Sequence, residues 1–478
     1  FQFCDDEIAV QTSDVADFLY FALYFIIGLS MLLKQPFGNP PDEYNRYLIP
    51  QYIAANGSLP NGYEESIRIG GYGFSYGFQP ILPYIFQGLM MRLAGLFSSS
   101  EAVLLYSARL VDFIFGLVMA VFVLLLGREW FADRRFSWLF SFLVMFLPQS
   151  IFVHTYVNTD SCCMMSIAIM LYGLTRGIQD HFRVSSCILL AIGIIFCALS
   201  YYNAYGYILS CILLFTAYFF SGSQTGVSFS WRPFLKKGIF ISLLVLIGIG
   251  WWFIRSFILY DGDFLGLKSR DLCASLYALP EFHPDTRITW QSQGYSLWEM
   301  LVTSDFLNLT LLSFIGIYGP MTIVTSLWVY RFYKLLFAVC VALCILLPGQ
   351  GAGALYPDRP FFRRFFHANM IFCMAMPFLL SLYYSYAIDY QPQGRYILPM
   401  LIPFSYYCIR GLYKAVSAGA HFCSKVFCRQ TDTPAEKLFF NRLSTGVCLV
   451  VGVLILLSVF ITVYGYAFPY YELHPTAP

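Results

Sequence analysis

The sequence predicts an all-α polytopic membrane protein, a single transmembrane domain over residues 1–478 with about eleven spanning helices and interfacial helices in its outer loops. Two observations predict it. Of the 478 residues, 58% are hydrophobic and only 12% are charged, and the mean hydropathy is +0.64. A soluble domain carries about 25% charged residues. The apolar residues also gather in runs close to the roughly 20 residues that a span requires. Scarce charge and 19% aromatic residues exclude a disordered chain. A formal net charge of +2, without a basic stripe, argues against a nucleic-acid partner. The lipid bilayer is the first partner that composition implies.

The predicted spans are 16–33, 103–126, 136–153, 161–178, 186–201, 205–220, 238–259, 369–388, 396–413 and 446–467. The stretch 321–347 supplies an eleventh, although Arg331 and Lys334 interrupt its first half. Residues 78–97 contain Pro80, Pro83 and Arg92 and read as a helix lying in the interface. Residues 306–320 are short, end in Gly-Pro, and read as a re-entrant or interfacial piece. With the N-terminus inside, the inner loops hold about twice as many Lys and Arg as the outer loops, the expected bias. Two large outer loops result, 34–102 and 260–320, both rich in Gly, Pro, Tyr and acids. Chemistry is expected there, at the outer surface.

Of 14 cysteines, most lie in apolar runs, where they act as small hydrophobes. Cys423 and Cys428, near His421, lack a good zinc spacing. The phosphate loop G-x-x-x-x-G-K-[ST], the H-E-x-x-H zinc motif and the G-x-S-x-G elbow are all absent. ATP-driven transport and the usual serine or zinc hydrolysis therefore have little support.

Three short strings carry polar chemistry. The first outer loop opens Pro40-Pro41-Asp42-Glu43. A carboxylate there can act as a general base toward a hydroxyl nucleophile; Asp after Pro-Pro is also a good N-cap for a helix beginning at Glu43, and the two readings are compatible. The second string is His154-Thr155-Tyr156-Val157-Asn158-Thr159-Asp160. Asp160 reads either as an N-cap or as an acid facing Asp42 across a common cavity, where the pair could hold an acceptor hydroxyl or a divalent cation such as Mg2+ or Mn2+. No ligand spacing marks a metal site. The third string, Gln391-Pro392-Gln393-Gly394-Arg395-Tyr396, precedes a late span. Arg395 either snorkels to the headgroups or offers its planar fork to phosphate oxygens, with Tyr396 as a further donor and Gly394 allowing close approach to the backbone. The mixed acids, bases and aromatics of 260–305 suit a sugar or polar headgroup, or form an ordinary solvated loop with an aromatic belt.

Taken in this order, Pro-Pro-Asp-Glu, Asn158-Thr159-Asp160 and Gln393-Gly394-Arg395-Tyr396 resemble a bacterial family of multipass membrane proteins. That family is similar to the GT-C glycosyltransferases, the lipid-linked-sugar enzymes that include protein mannosyltransferases and aminoarabinose transferases. The resemblance covers roughly 16–413. It departs from the pattern at Tyr44-Asn45-Arg46-Tyr47, where family members often have a His. The resemblance implies a GT-C-like bundle that transfers a monosaccharide from a polyprenyl-phosphate donor to a cell-envelope glycan or lipid acceptor. The active site would lie on the outer face of the cytoplasmic membrane, and the reaction would invert. By the same resemblance Asp42 is the catalytic base and Glu43 supports it. Asn158, Asp160 and His154 orient the acceptor, and Arg395, Gln393 and Tyr396 bind the donor phosphate. A lipid-linked-glycan flippase, using the same cavity without chemistry, is the rival, and a non-catalytic assembly protein is a third reading.

Overall fold

The computed structural model describes residues 2–221, 231–349, 356, 359–427 and 433–475, the side chains of 2–14, 427 and 433 excepted. Cys428 of the Cys423/Cys428 pair lies outside the described residues. Among them, eight helices are long and apolar enough to cross a membrane: Val15–Lys34, Glu101–Trp130, Asp160–Gln179, Tyr202–Phe220, Trp231–Leu259, Leu327–Leu346, Pro360–Ala387 and Pro434–Leu473. The chain is an all-α, multi-pass membrane protein.

Three of the eleven expected spans take another form. Residues 136–153 are two helices, Arg134–Met145 and Pro148–Val153. Pro148 has no amide hydrogen to continue the first helix, and its fixed φ suits the first turn of the second. The run 186–201 becomes a shorter helix of 15 residues, Val184–Ala198. The run 396–413 begins as a 3-10 turn, Gly394–Met400, and continues as Leu401–Phe427, a more polar helix that carries Arg410 and Lys414.

Asp160–Gln179 is the axis of the bundle, with 89% of its apolar window buried. It packs against Glu101–Trp130, Val184–Ala198 and Tyr205–Phe220. Small residues let helix backbones approach, and that proximity supplies the packing that lipid cannot. A Cβ on Gly173 would stand 2.9 Å from the Leu190 backbone nitrogen. Trp231–Leu259 is peripheral and presents Leu246, Ile247 and Ile254 outward.

The two large loops, 34–102 and 260–320, are folded. The first holds Glu43–Asn56, two 3-10 turns, and Leu82–Gly95, which exposes Phe86, Leu89 and Leu93. The second holds Leu267–Tyr277, Leu297–Thr303 and Phe306–Gly316. At 11 residues Phe306–Gly316 is too short to span, and it leads into a two-stranded antiparallel pair, Ile317–Tyr318 with Ile323–Val324. The loops dock on one another. Leu279 N donates to Gly71 O at 2.8 Å, the buried Cys273 thiol meets Gly73 O at 3.3 Å, and the Arg68 guanidinium lies 3.6 Å over the Tyr277 ring. Together they roof a cavity whose floor is the region around Asp42.

Candidate active site

The floor is built from the end of the first span. Arg109, fully buried in the Glu101–Trp130 helix, donates to the carbonyls of Leu32, Gln35 and Pro36 at 2.8–3.3 Å. The same guanidinium binds both Glu43 oxygens at 2.7 Å. Those oxygens also accept Gly38 N at 3.1 Å and Val157 N at 3.2 Å. A carboxylate has about four lone-pair sites, and all four of Glu43's are occupied. Glu43 is 0% exposed. It ties the loop down and has no oxygen left for a substrate.

Its neighbour Asp42 is different. The backbone there is left-handed, with φ 62°, a conformation that Asp tolerates better than most residues yet still costs about 1–2 kcal/mol. Asp42 stands at the N-cap position of Glu43–Asn56, but its side chain makes no cap hydrogen bond. It points instead to Arg395, whose Nη2 donates to Oδ2 at 2.5 Å. The carboxylate is about a third exposed, through the cavity, and Arg395 is 3% exposed. Burial raises the Asp42 pKa. The charges of Arg395 and Arg46 and the hydrogen bonds of Arg395 and Tyr76 outweigh it and hold the carboxyl below its ordinary 3.8.

Arg395 also donates to the Tyr396 hydroxyl at 3.1 Å, and Tyr396 donates in turn to Gln391 Oε1. Gln391, not Gln393, therefore completes this end of the site; Gln393 does not line the cavity. Gly394 has a different task from the one expected. A Cβ there would lie 1.9 Å from the Phe314 nitrogen, so it is the Phe306–Gly316 helix, not a ligand, that approaches its backbone. Gly394→Ala is expected to cost at least about 1–3 kcal/mol from overpacking, read as a lower melting midpoint. Gly452→Ala, whose Cβ meets open space, is the control and should not lower it. Equal midpoints for Gly394→Ala and wild type would contradict this close crossing.

The 154–160 string splits. His154 is fully buried, its Nδ1 is 2.7 Å from Ser150 O, and its Cβ packs against Gly116 inside the bundle. The Asn158 amide donates to Val153 O and Tyr156 O, and its oxygen accepts Ser161 N at 2.9 Å. Both shape the turn, and neither lines the cavity. Asp160 is the first residue of its helix rather than its cap, which is Thr159. It is 4% exposed, and its Oδ2 has no hydrogen-bond partner among the described residues. Its charge acts on both Arg46 and Arg395.

Arg46 is the residue that sequence reasoning missed. It is 3% exposed, donates to Tyr84 Oη at 3.2 Å and Thr159 Oγ1 at 2.9 Å, and lies 4.6 Å over the Tyr76 ring. The cavity above has a volume of about 540 Å3 and is lined by Asp42, Arg46, Tyr76, Tyr201, Gln391 and Tyr396 at its floor. Tyr72, Phe74, Arg270, Asp271 and Arg287 line its roof. Among the described residues no group of three or more His, Cys, Asp or Glu is placed to hold a metal ion. Asp42 is paired with Arg395, Glu43 with Arg109, and a second guanidinium stands beside Asp42. These residues do not fit a resident divalent cation.

The arrangement is that of a membrane-embedded bundle with a roofed polar cavity, the fold of the GT-C membrane glycosyltransferases. The chain is similar to ArnT from Cupriavidus metallidurans bound to undecaprenyl phosphate, at 14% identity and a TM-score of 0.50, over 94% of this chain and 74% of that one. It is also similar to the archaeal oligosaccharyltransferase AglB from Archaeoglobus fulgidus in complex with an inhibitory peptide and a dolichol-phosphate. That match has 15% identity, a TM-score of 0.45 and 92% coverage of this chain, which spans 56% of the AglB chain's length. No protein-family model and no curated protein matches the chain.

Proposed function

We propose that the chain is a membrane glycosyltransferase. It moves a monosaccharide from a polyprenyl-phosphate donor to a cell-envelope glycan or lipid acceptor, at the outer face of the cytoplasmic membrane. The observation that carries this reading is the Asp42–Arg395 pair, a carboxylate at the floor of the cavity held by a buried guanidinium directly behind it. In the reaction the acceptor oxygen attacks the anomeric carbon. The bond from that carbon to the phosphate oxygen breaks, and its electron pair leaves with the phosphate. The acceptor proton passes to Asp42 as general base. Arg395, braced by Tyr396 and Gln391, binds the leaving phosphate by charge-assisted hydrogen bonds. A single displacement inverts the anomeric centre. Glu43 is a positioning residue, His154 and Asn158 hold the turn, and Asp160 orients the two arginines.

The test is transfer of labelled sugar by the purified protein, with a panel of polyprenyl-phosphate sugars and an envelope extract as acceptor. Polyprenyl phosphate should be released in equal amount, and the product should have the opposite anomeric configuration from the donor. A retained configuration would overturn the single displacement. Movement of lipid-linked sugar across a proteoliposome membrane, with no transfer from any donor, would replace this reading with the flippase.

A further inference from the structure

We infer that Arg46 and Arg395 together form a two-guanidinium cradle for the donor phosphate, and that this pair neutralises the charge a divalent cation would otherwise meet. The inference rests on the glycosyltransferase reading of the site. Arg46 follows Asp42 by one helical turn, so both face the same cavity. A buried cation is costly and asks for a counter-charge. Asp160 and Asp42 lie within electrostatic reach of Arg46, but among the described residues its hydrogen bonds go to neutral groups, the hydroxyls of Tyr84 and Thr159, and its Nε has no partner, so no carboxylate occupies its fork. The Nε of Arg395 has none either. Tyr76, Tyr156, Tyr201 and Tyr396 all lie within the electrostatic reach of both guanidiniums. Two rigid forks ringed by phenols suit the tetrahedral oxygens of a phosphate monoester.

The cradle has a consequence for the base. A phosphate oxygen that takes the Arg395 Nη2 hydrogen displaces Asp42 from its salt bridge. The carboxylate is then free to accept the acceptor's proton, so the donor must bind before the base becomes available.

The experiment measures binding of undecaprenyl phosphate and of the uncharged undecaprenol to the full-length protein in nanodiscs. Wild type, Arg46→Gln and Arg46→Lys are compared, each with and without chelator. Wild type should prefer the phosphate at least tenfold, and chelator should not change this. Arg46→Gln should reduce the preference at least tenfold; Arg46→Lys, which keeps the charge and loses the fork, should fall between. A packing defect would weaken both lipids together and leave the preference intact, so the ratio separates the two roles. An unchanged ratio in both variants would overturn the cradle, as would an affinity lost to chelator and restored by Mn2+. Neither readout needs turnover. If the Arg46-dependent preference is found but no donor is ever turned over, the cradle stands and the glycosyltransferase reading falls. If transfer is found and survives Arg46→Gln with an unchanged donor KM, that reading stands and the cradle falls.

Discussion

Asp42→Asn is expected to lower sugar transfer by about 10²–10⁴-fold, the usual loss when a general base is removed. The fold should survive. The amide is isosteric and keeps an oxygen for the Arg395 Nη2 hydrogen, so the buried guanidinium is not stranded. Neither of the other acids in the sequence strings can take over the proton, and the other carboxylates that line the cavity, Asp271 and Asp389, are held by Arg270 and by Gln391. Glu43 is sealed by Arg109 and two backbone amides, and Asp160 is not among the residues lining the cavity. Transfer by Asp42→Asn at more than a tenth of the wild-type rate would place the base elsewhere, with Asp389 and Asp271, which line the cavity, the next acids to substitute.

The same geometry sets the pH dependence. Burial pushes the Asp42 carboxyl up, and the arginines more than reverse it, leaving it below 3.8 in the free protein. The base works when deprotonated, and a lowered pKa keeps it deprotonated to lower pH. The kcat/KM profile, which reports the free enzyme, should therefore show no acid limb from Asp42 above pH 3.8. Arg395→Gln removes the largest opposing charge and leaves the burial. Its acid limb should move upward, so the variant should lose proportionately more activity at about pH 5 than at about pH 8. A constant ratio of variant to wild type across that range would show that Arg395 does not tune Asp42.

How much of this was legible in the sequence depends on the range of the interaction. The spans were legible because a run of apolar residues is a local signal, and the break at Pro148 could have been read from the same proline rule that ends helices. The position of Asp42 at a polar cavity was legible because it stands after Pro-Pro at the mouth of a span. Its neighbour was not separable from it by local reasoning. The partner that removes Glu43 from the chemistry, Arg109, lies in an apolar run far along the chain. The available signal was Arg109 itself, because an ionisable residue inside a span needs a partner. Arg46 was hidden by being counted as an outer-loop charge and as a departure from a motif. Its spacing from Asp42, one helical turn, was in the sequence all along. Asn158 misled in the usual way for its residue type, since a short amide at a turn satisfies its own backbone first.

Removing either partner of the Glu43–Arg109 pair is expected to do the greatest structural damage of any single substitution near the site. Both side chains are 0% exposed, so neither charge can fall back on solvent. Breaking such a pair from one side typically costs about 3–5 kcal/mol, against a total stability of about 5–15 kcal/mol for an ordinary domain. Glu43→Gln turns an NH2 group toward donors, among Arg109, Gly38 N and Val157 N, that need an acceptor. Arg109→Met strands the Glu43 charge and frees the carbonyls of Leu32, Gln35 and Pro36. Each single variant should melt well below wild type. Each should also lose transfer at temperatures where most of the protein is still folded, because the released loop carries Asp42. The double variant Glu43→Leu/Arg109→Met should recover the part of the stability lost to an unpaired buried charge, though not the part lost with the hydrogen bonds to the three carbonyls and to the Gly38 and Val157 amides. It should not recover transfer, because the bonds that aim Asp42 at the cavity are gone. The double-mutant cycle decides the matter: additive losses would mean that the two residues act separately, and a double variant that regains both stability and transfer would mean that the pair does not position the base.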